Sequence, residues 1–165
     1  MPPPLSVEEA LARILDGVAP MPAEAVAIEA AHRRTLATPL AALITQPPFD
    51  ASAMDGYAVR GADVARLPAT LDVIGEAAAG HPFAGSVAAG QAVRIFTGAP
   101  LPAGADAVVI QENTERDGAR VIVREGTPDR GHVRHTGFDF RAGEILLQAG
   151  RRLGPREVAL AAAMG

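Results

Sequence analysis

The chain has 165 residues, enough for one medium domain or two small ones. Its 15 basic residues are all arginine and face 19 acidic ones, a net charge of −4. The lack of lysine excludes a lysine-bearing phosphate loop and Schiff-base chemistry, and an acidic balance makes a poor general binder of nucleic acid. Cysteine is absent, so disulfides, thiolate metal sites and thiol nucleophiles are excluded as well. Apolar residues make up 48% and aromatic ones only 4%, which predicts an aliphatic core and no platform for base stacking.

The amino terminus has no basic start, and Glu8, Glu9 and Arg13 interrupt its apolar run, so it does not read as a secretory signal. The longest uncharged stretch, residues 77–93, is broken by Gly80, Pro82, Gly85 and Gly90 and cannot span a bilayer as a helix. A soluble, cytoplasmic protein with no membrane contact is the expectation. Ser6 and Glu9 form a capping-box pattern, and Val7, Leu11, Ile14, Leu15 and Val18 follow at helical spacing with Gly17 as a stop. This predicts an amphipathic helix of about three turns whose apolar face is a packing surface. Further on, Val26 and Ile28 alternate like a short strand, and residues 30–37 suit a short helix ended by Pro39.

After Gln46-Pro47-Pro48-Phe49 the pattern changes to short β segments punctuated by Gly and Pro. Strands are expected at 57–59, 70–74, 92–96, 106–112, 119–125 and 131–134, with Asp117-Gly118 as a hairpin turn between two β-branched runs. A further strand at 144–147 and a helix from Arg156 to Met164, opened by Gly154-Pro155, close the chain. The fold class is therefore mixed α+β and β-rich. A small barrel-like β domain, residues 48–140, is inserted in a mixed α/β domain made of 1–47 and 141–165. An Ala-rich helix that stops at Gly165 reads as a cut at an element boundary.

Common chemical motifs are missing: there is no GxGxxG after a strand, no HExxH and no GxSxG. His132 and His135 are three apart, a spacing that points to opposite faces of a strand and makes a poor metal pair. Three other segments crowd small and polar residues where strands begin or end. In residues 49–59, Asp55-Gly56 is either a plain turn or a carboxylate projected into a cleft, able to hold Mg²⁺ through oxygen. In residues 94–106, a strand exits into Thr97-Gly98, either a rigid connection or a backbone cradle for an oxyanion. In residues 134–139, Arg134 and Asp139 flank Gly137, either as a surface ion pair or as an anion and metal site side by side.

Taken together, the strings SAMDGYAV (52–59), RIFTGAPLPAGADAVVIQE (94–112) and GFDFRAGEILLQAG (137–150) resemble the amino-terminal region of the molybdopterin molybdenumtransferase, or MoeA, family. That family includes the carboxy-terminal part of eukaryotic gephyrin. LSVEEAL near the start and LGPREVALAAAMG at the end fall where the family has the first and last helices of this region, so the resemblance covers nearly the whole chain.

The resemblance implies an enzyme that inserts molybdenum from molybdate into the dithiolene of adenylylated molybdopterin, with Mg²⁺, releasing AMP. It implies catalytic roles for Asp55, Thr97 and Asp139, metal ligation by Asp55 and Asp139, and substrate binding by Arg134, Gly98 and Ser52. Thr97 is expected to donate to an oxyanion and Arg134 to neutralise molybdate or a phosphate. It further implies a homodimer, small-molecule substrates, contacts with other molybdenum cofactor biosynthesis proteins, and an absent third domain that completes the active cleft. Two departures stand out: Ala51 replaces a frequent Asn, and His135, Thr136 and Phe138 replace basic or acidic residues near Arg134 and Asp139. From other classes, a non-catalytic dimeric scaffold of the gephyrin type or a stand-alone anion-binding β module remain open.

Overall fold

The computed structural model describes residues 4–126 and 132–165. Helix α1 (Val7–Leu15) begins at the expected capping box: the Glu9 amide donates to Ser6 Oγ, and the Ser6 amide donates to the Glu9 carboxylate. Gly17, at φ +76°, follows its end. No residue of α1 is buried, and Val7 and Ile14 are 80% and 71% exposed. The apolar stripe read from the sequence is present but unpartnered within the chain.

The short strand expected at Val26 and Ile28 and the helix expected over 30–37 do not form. In their place a single 3₁₀ turn spans Ile28–Ala30. The following residues instead lie along the returning end of the chain: the Arg33 amide donates to the Leu153 carbonyl, Leu36 to Arg151 and Leu153 to Arg34. These long-range bonds outweigh the weak local helix preference of a segment ended by a proline. Strand β1 (Leu40–Ala41) continues this ladder with the strand Ile145–Leu147, and Gln46 bridges Phe140 where the chain passes outward and returns.

Beyond residue 50 come β2 (Ala51–Ser52), β3 (Gly56–Val59), β4 (Ala69–Ala77), β5 (Gln91–Ile95) and β6 (Ala107–Ile110). Strands β7 (Thr114–Asp117), β8 (Arg120–Val123), β9 (Val133–Arg134) and β10 (Ile145–Leu147) follow, and helix α2 spans Pro155–Ala163. Six strands form one sheet in the order β6-β3-β5-β4-β8-β7, with β4 and β5 parallel and every other pairing antiparallel. The expected run 106–112 stops at Ile110 and turns into a 3₁₀ segment, Gln111–Asn113. The expected strand at 131–134 is confined to Val133–Arg134, and residue 131 lies outside the described residues.

The expected hairpin is present, displaced by one position. Asp117 pairs with Arg120, so the loop residues are Gly118 and Ala119, with Gly118 at φ +56°.

The core sits on both faces of this sheet. Tyr57, Val59, Ala107 and Val109 pack into one cluster, while Ala58, Val93, Ile95 and Val108 pack into another. A sheet covered on both sides needs continuous apolar runs, which explains why strands such as AVVI lack polar alternation. Tyr57 is the one aromatic residue among the buried members of these two clusters, as the composition predicts. Two smaller clusters join the chain ends, one around Leu147 and Leu153 and one around Phe140 and Met164. Among the described residues no helix is long and apolar enough to cross a membrane.

Candidate functional site

The three segments singled out in the sequence lie side by side. Residues 50–53 run between residues 98–101 on one side and residues 132–134 on the other. The Ser52 amide donates to the Ala99 carbonyl (2.9 Å), Gly98 to Ser52 (2.8 Å) and Leu101 to Asp50 (2.8 Å). On the opposite edge Ala51 pairs with Arg134 and Ser52 with Val133, and the Ala53 amide donates to His132. Ala99 and Val133 belong to the apolar cluster beneath, so this small ladder is bolted to the main sheet.

Asp55 stands at the end of the turn that leaves this ladder, immediately before the fully buried strand β3. Its Oδ1 accepts the Thr97 amide at 2.8 Å and the Thr97 hydroxyl at 2.7 Å. The backbone bond from Thr97, then its hydroxyl, and last the charge of Arg94 hold the Asp55 carboxyl below its ordinary range. Oδ2 has no hydrogen-bond partner among the described residues. Gly56, next in the chain, is not at positive φ. Its lack of a side chain serves close approach, since a Cβ there would lie 2.0 Å from the Val109 carbonyl oxygen.

The oxyanion cradle expected at Thr97 and Gly98 is occupied by the chain's own carboxylate. The amide and hydroxyl of Thr97 point at Asp55, the Gly98 amide is engaged by Ser52, and the Ala99 amide by Phe96. Ser52 is 1% exposed, and its hydroxyl donates to the Met54 carbonyl at 2.6 Å, bracing the turn from beneath. Ser52 and Gly98 are thus built into the scaffold of the site and present no donor to a ligand.

A second cradle of the same kind holds Asp50, a residue to which the sequence assigns no role. Its Oδ1 accepts the Thr136 amide (2.7 Å) and the Thr136 hydroxyl (3.0 Å), and its Oδ2 meets His135 Nδ1 at 3.0 Å. The Thr136 backbone bond, then the His135 bond, hold the Asp50 carboxyl low as well. Each cradle uses one of the chain's two Thr-Gly dipeptides, with the glycine at φ +83° in one and +71° in the other. That repeated dipeptide is a legible signal, although the sequence does not say which aspartate meets which threonine.

Arg134 and Asp139 face each other across the second loop. Arg134 Nη2 donates to both carboxylate oxygens, at 2.7 and 3.0 Å, and the guanidinium carbon lies 5.6 Å from the Phe138 ring centre. The two side chains are 48% and 39% exposed. The geometry is that of a surface ion pair; the other guanidinium nitrogens make no hydrogen bond within the described residues. Arg94, also without an assigned role in the sequence, is clamped between the rings of Tyr57 (5.2 Å) and Phe96 (4.8 Å). It donates to the Gly56 carbonyl and to Gln111, and its positive charge acts on Asp55.

Among the described residues no three His, Asp or Glu side chains gather as a metal site. A single carboxylate with one unused oxygen still suits Mg²⁺, which keeps most of its waters and takes further oxygens from a phosphate-bearing substrate. A surface groove lies elsewhere, between the Ile28–Ala30 turn and α2, lined by Ile28, His32, Pro155, Val158 and Ala162.

Comparison with known proteins adds an independent line. Residues 5–165 match the family model described as "MoeA N-terminal region (domain I and II)". A molybdopterin molybdenumtransferase of Nostoc sp. is 43% identical over 145 residues, covering 85% of this chain and 33% of that protein. One from Haemophilus influenzae is 35% identical over 163 residues, covering 98% of this chain and 40% of that protein. Among solved structures, the molybdopterin biosynthesis moeA protein from Pyrococcus horikoshii OT3 superimposes with a TM-score of 0.79 at 36% identity. That alignment covers 86% of this chain and 38% of the archaeal one. The chain thus spans between a third and two fifths of the length of these relatives.

Proposed function

The chain belongs to the MoeA N-terminal family, and from that premise we propose that it supplies part of the active site of a molybdenum cofactor biosynthesis enzyme, a molybdopterin molybdenumtransferase. The reaction is insertion of molybdenum from molybdate into adenylylated molybdopterin, with release of AMP. The observation that carries this reading is the convergence of the three motifs on one ladder, with Asp55 held charged at its edge. Asp50 sits in a cradle of the same kind but spends its second oxygen on His135, whereas Asp55 keeps Oδ2 unused among the described residues.

On this reading the roles divide by what each side chain has left to offer. Asp55 is a weak base at neutral pH because its charged form is the hydrogen-bonded one, which suits it to holding a cation rather than moving protons. Its free Oδ2 is the atom that would meet Mg²⁺, which when bound would offset the repulsion between this carboxylate and molybdate or a phosphate. Thr97 fixes the orientation of Asp55. Arg134, with guanidinium nitrogens to spare, is the residue to meet the oxyanion, and Asp139 orients Arg134.

Because the chain is a minor part of its relatives' length, turnover requires the remaining region. We also propose that residues 1–47 and 141–165 form a unit through which two copies associate, with 48–140 as an inserted β unit. Support comes from α1, which carries Val7, Leu11, Ile14 and Leu15 on a helix with no buried residue. That same exposed face is what a non-catalytic dimeric scaffold of the gephyrin type would show. A cytoplasmic location fits the proposed substrates.

The test is insertion into adenylylated molybdopterin by this chain, with and without the separately supplied remainder of a relative. Activity only in the mixture, lost in Asp55→Ala, is the expected outcome. A folded dimer that binds no pterin and inserts no molybdenum in either case would favour the scaffold.

A further inference from the structure

We infer that Asp50 is the positioning residue for the Arg134–Asp139 pair, clamping the loop that bears it to the strand that leads into the Asp55 turn. The loop from His135 to Asp139 carries both members of the pair at or beside its ends. Its backbone is stitched to the outgoing chain by two carbonyls: Gly137 donates to Pro47 (2.9 Å) and Asp139 to Gln46 (3.0 Å). Those bonds hold the far side of the loop. The near side, toward Ala51 and Ser52, is held by Asp50 alone among side chains of the 46–55 segment, through three bonds to Thr136 and His135.

The ion pair does not fix this geometry by itself. Both partners are substantially exposed, and such pairs contribute little to stability and are screened further by salt. Arg134 sits directly opposite Ala51 in the ladder, one residue from Asp50. The methyl side chain of Ala51 offers the Arg134 guanidinium no hydrogen bond, so its placement is set by the backbone on either side of it. On the carboxyl side that backbone is the Thr136 clasp, followed at once by Gly137 at φ +71°. Asp50 therefore connects the two halves of the site: its own backbone carbonyl accepts Leu101 in the ladder beside Thr97-Gly98, while its side chain holds the Arg134 loop.

This inference deepens the reading of Arg134 as the residue that meets the oxyanion and rests on it for its catalytic consequence. The test uses Asp50→Ala, which removes every acceptor, and Asp50→Asn, which keeps an oxygen for both Thr136 donors. In NMR spectra of the full chain, Asp50→Ala is expected to move the Arg134 Nε–H and Asp139 amide signals while the Thr97 amide stays in place. Asp50→Asn is expected to restore most of the shift.

In the insertion assay, Asp50→Ala should raise the molybdate concentration for half-maximal rate by about tenfold, with the pterin requirement unchanged and Asp50→Asn close to wild type. Unmoved Arg134 and Asp139 signals in Asp50→Ala, or a Thr97 signal that moves as far as theirs, would overturn the proposal. So would failure of the Asn variant to rescue in a folded chain. The NMR arm uses no substrate, so the two readings fail separately. Absence of insertion by the wild-type mixture would sink the molybdenum-transfer reading, while the Arg134 signal alone decides the role of Asp50.

Discussion

The two aspartate cradles use the same local chemistry on different foundations. In each, an aspartate oxygen accepts the amide and hydroxyl of a threonine that precedes a left-handed glycine. Asp55 runs straight into β3, which pairs on both sides and is buried along its length. Asp50 runs into β2, two residues long, and its partner loop rests on a few backbone bonds and an exposed ion pair. The first cradle sits on the central sheet itself; the second is tied to that sheet only through a two-residue ladder and its own bonds. Local hydrogen bonding therefore specifies where a carboxylate points, and the packing behind it decides how firmly.

Breaking the foundation of the first cradle should give the largest effect. Gly56→Ala would drive a methyl group to 2.0 Å from the Val109 carbonyl oxygen, a backbone atom locked in the β3–β6 ladder. Overpacking a core of this kind costs about 1–3 kcal/mol and sometimes more, and this contact falls at the upper end because no side chain can move aside. Urea unfolding should show the loss as a lowered midpoint. The counterpart, Gly137→Ala, meets the flexible Arg141 side chain at 2.7 Å and incurs the left-handed backbone penalty of about 1–2 kcal/mol. Equal midpoints for the two variants would mean that the foundations do not differ.

Next in size is a chemical effect without a structural one. Asp55→Ala removes a partly exposed carboxylate and leaves β3 and its neighbours untouched, so the chain should keep its folded spectrum. Insertion in the complemented assay should fall to background. Thr97→Val is expected to reproduce part of this loss, since it deletes the hydroxyl bond but keeps the amide bond. If Asp55→Ala unfolded the chain, its charge would matter to the turn rather than to the chemistry.

Acid should then probe both cradles together. The Asp50 and Asp55 carboxyls titrate below the ordinary aspartate value of 3.8 in the folded chain. As pH falls, the unfolded chain takes up these protons first, so stability is complete above that value and is lost as pH drops through the lower folded values. Melting temperature should therefore be flat between pH 5 and 8 as far as these two groups are concerned and should decline below about pH 4. Replacing both with asparagine should flatten that acid limb. An unchanged limb would show that the hydrogen bonds do not favour the charged forms.

How much of this is legible in the sequence follows from the range of the forces. The α1 capping box, the β-branched strands and the start of α2 are local patterns, and local patterns can be read. The expected helix over 30–37 gives way because Arg33, Arg34 and Leu36 bond to Leu153 and Arg151, more than a hundred residues away. Asp55, Thr97, Arg134 and Asp139 are recognisable as motif members, but who bonds to whom is set by the register of β2 with β9 and residues 98–101. Thr97 reads locally as a donor to a ligand because nothing nearby in the chain shows that Asp55 already occupies it. Asp50 and Arg94 give no signal for the same reason, the one partnered across 86 positions and the other held by Gly56 and Gln111.

The smallest effect should come from the most conspicuous contact. Arg134 and Asp139 make a short, two-bond ion pair, yet both side chains stand in solvent. The Coulomb gain at a surface is largely offset by ordering two side chains, and physiological salt screens what is left. Arg134→Ala should therefore shift stability by no more than about 1 kcal/mol, and raising the salt concentration should shrink even that difference. The same variant should nonetheless weaken the response to molybdate, because the guanidinium nitrogens not engaged by Asp139 are lost with it. Measured side by side by thermal melting and molybdate titration, a large stability loss with an unaltered molybdate response would reassign Arg134 from the site to the scaffold. It would also place the second cradle on as firm a foundation as the first.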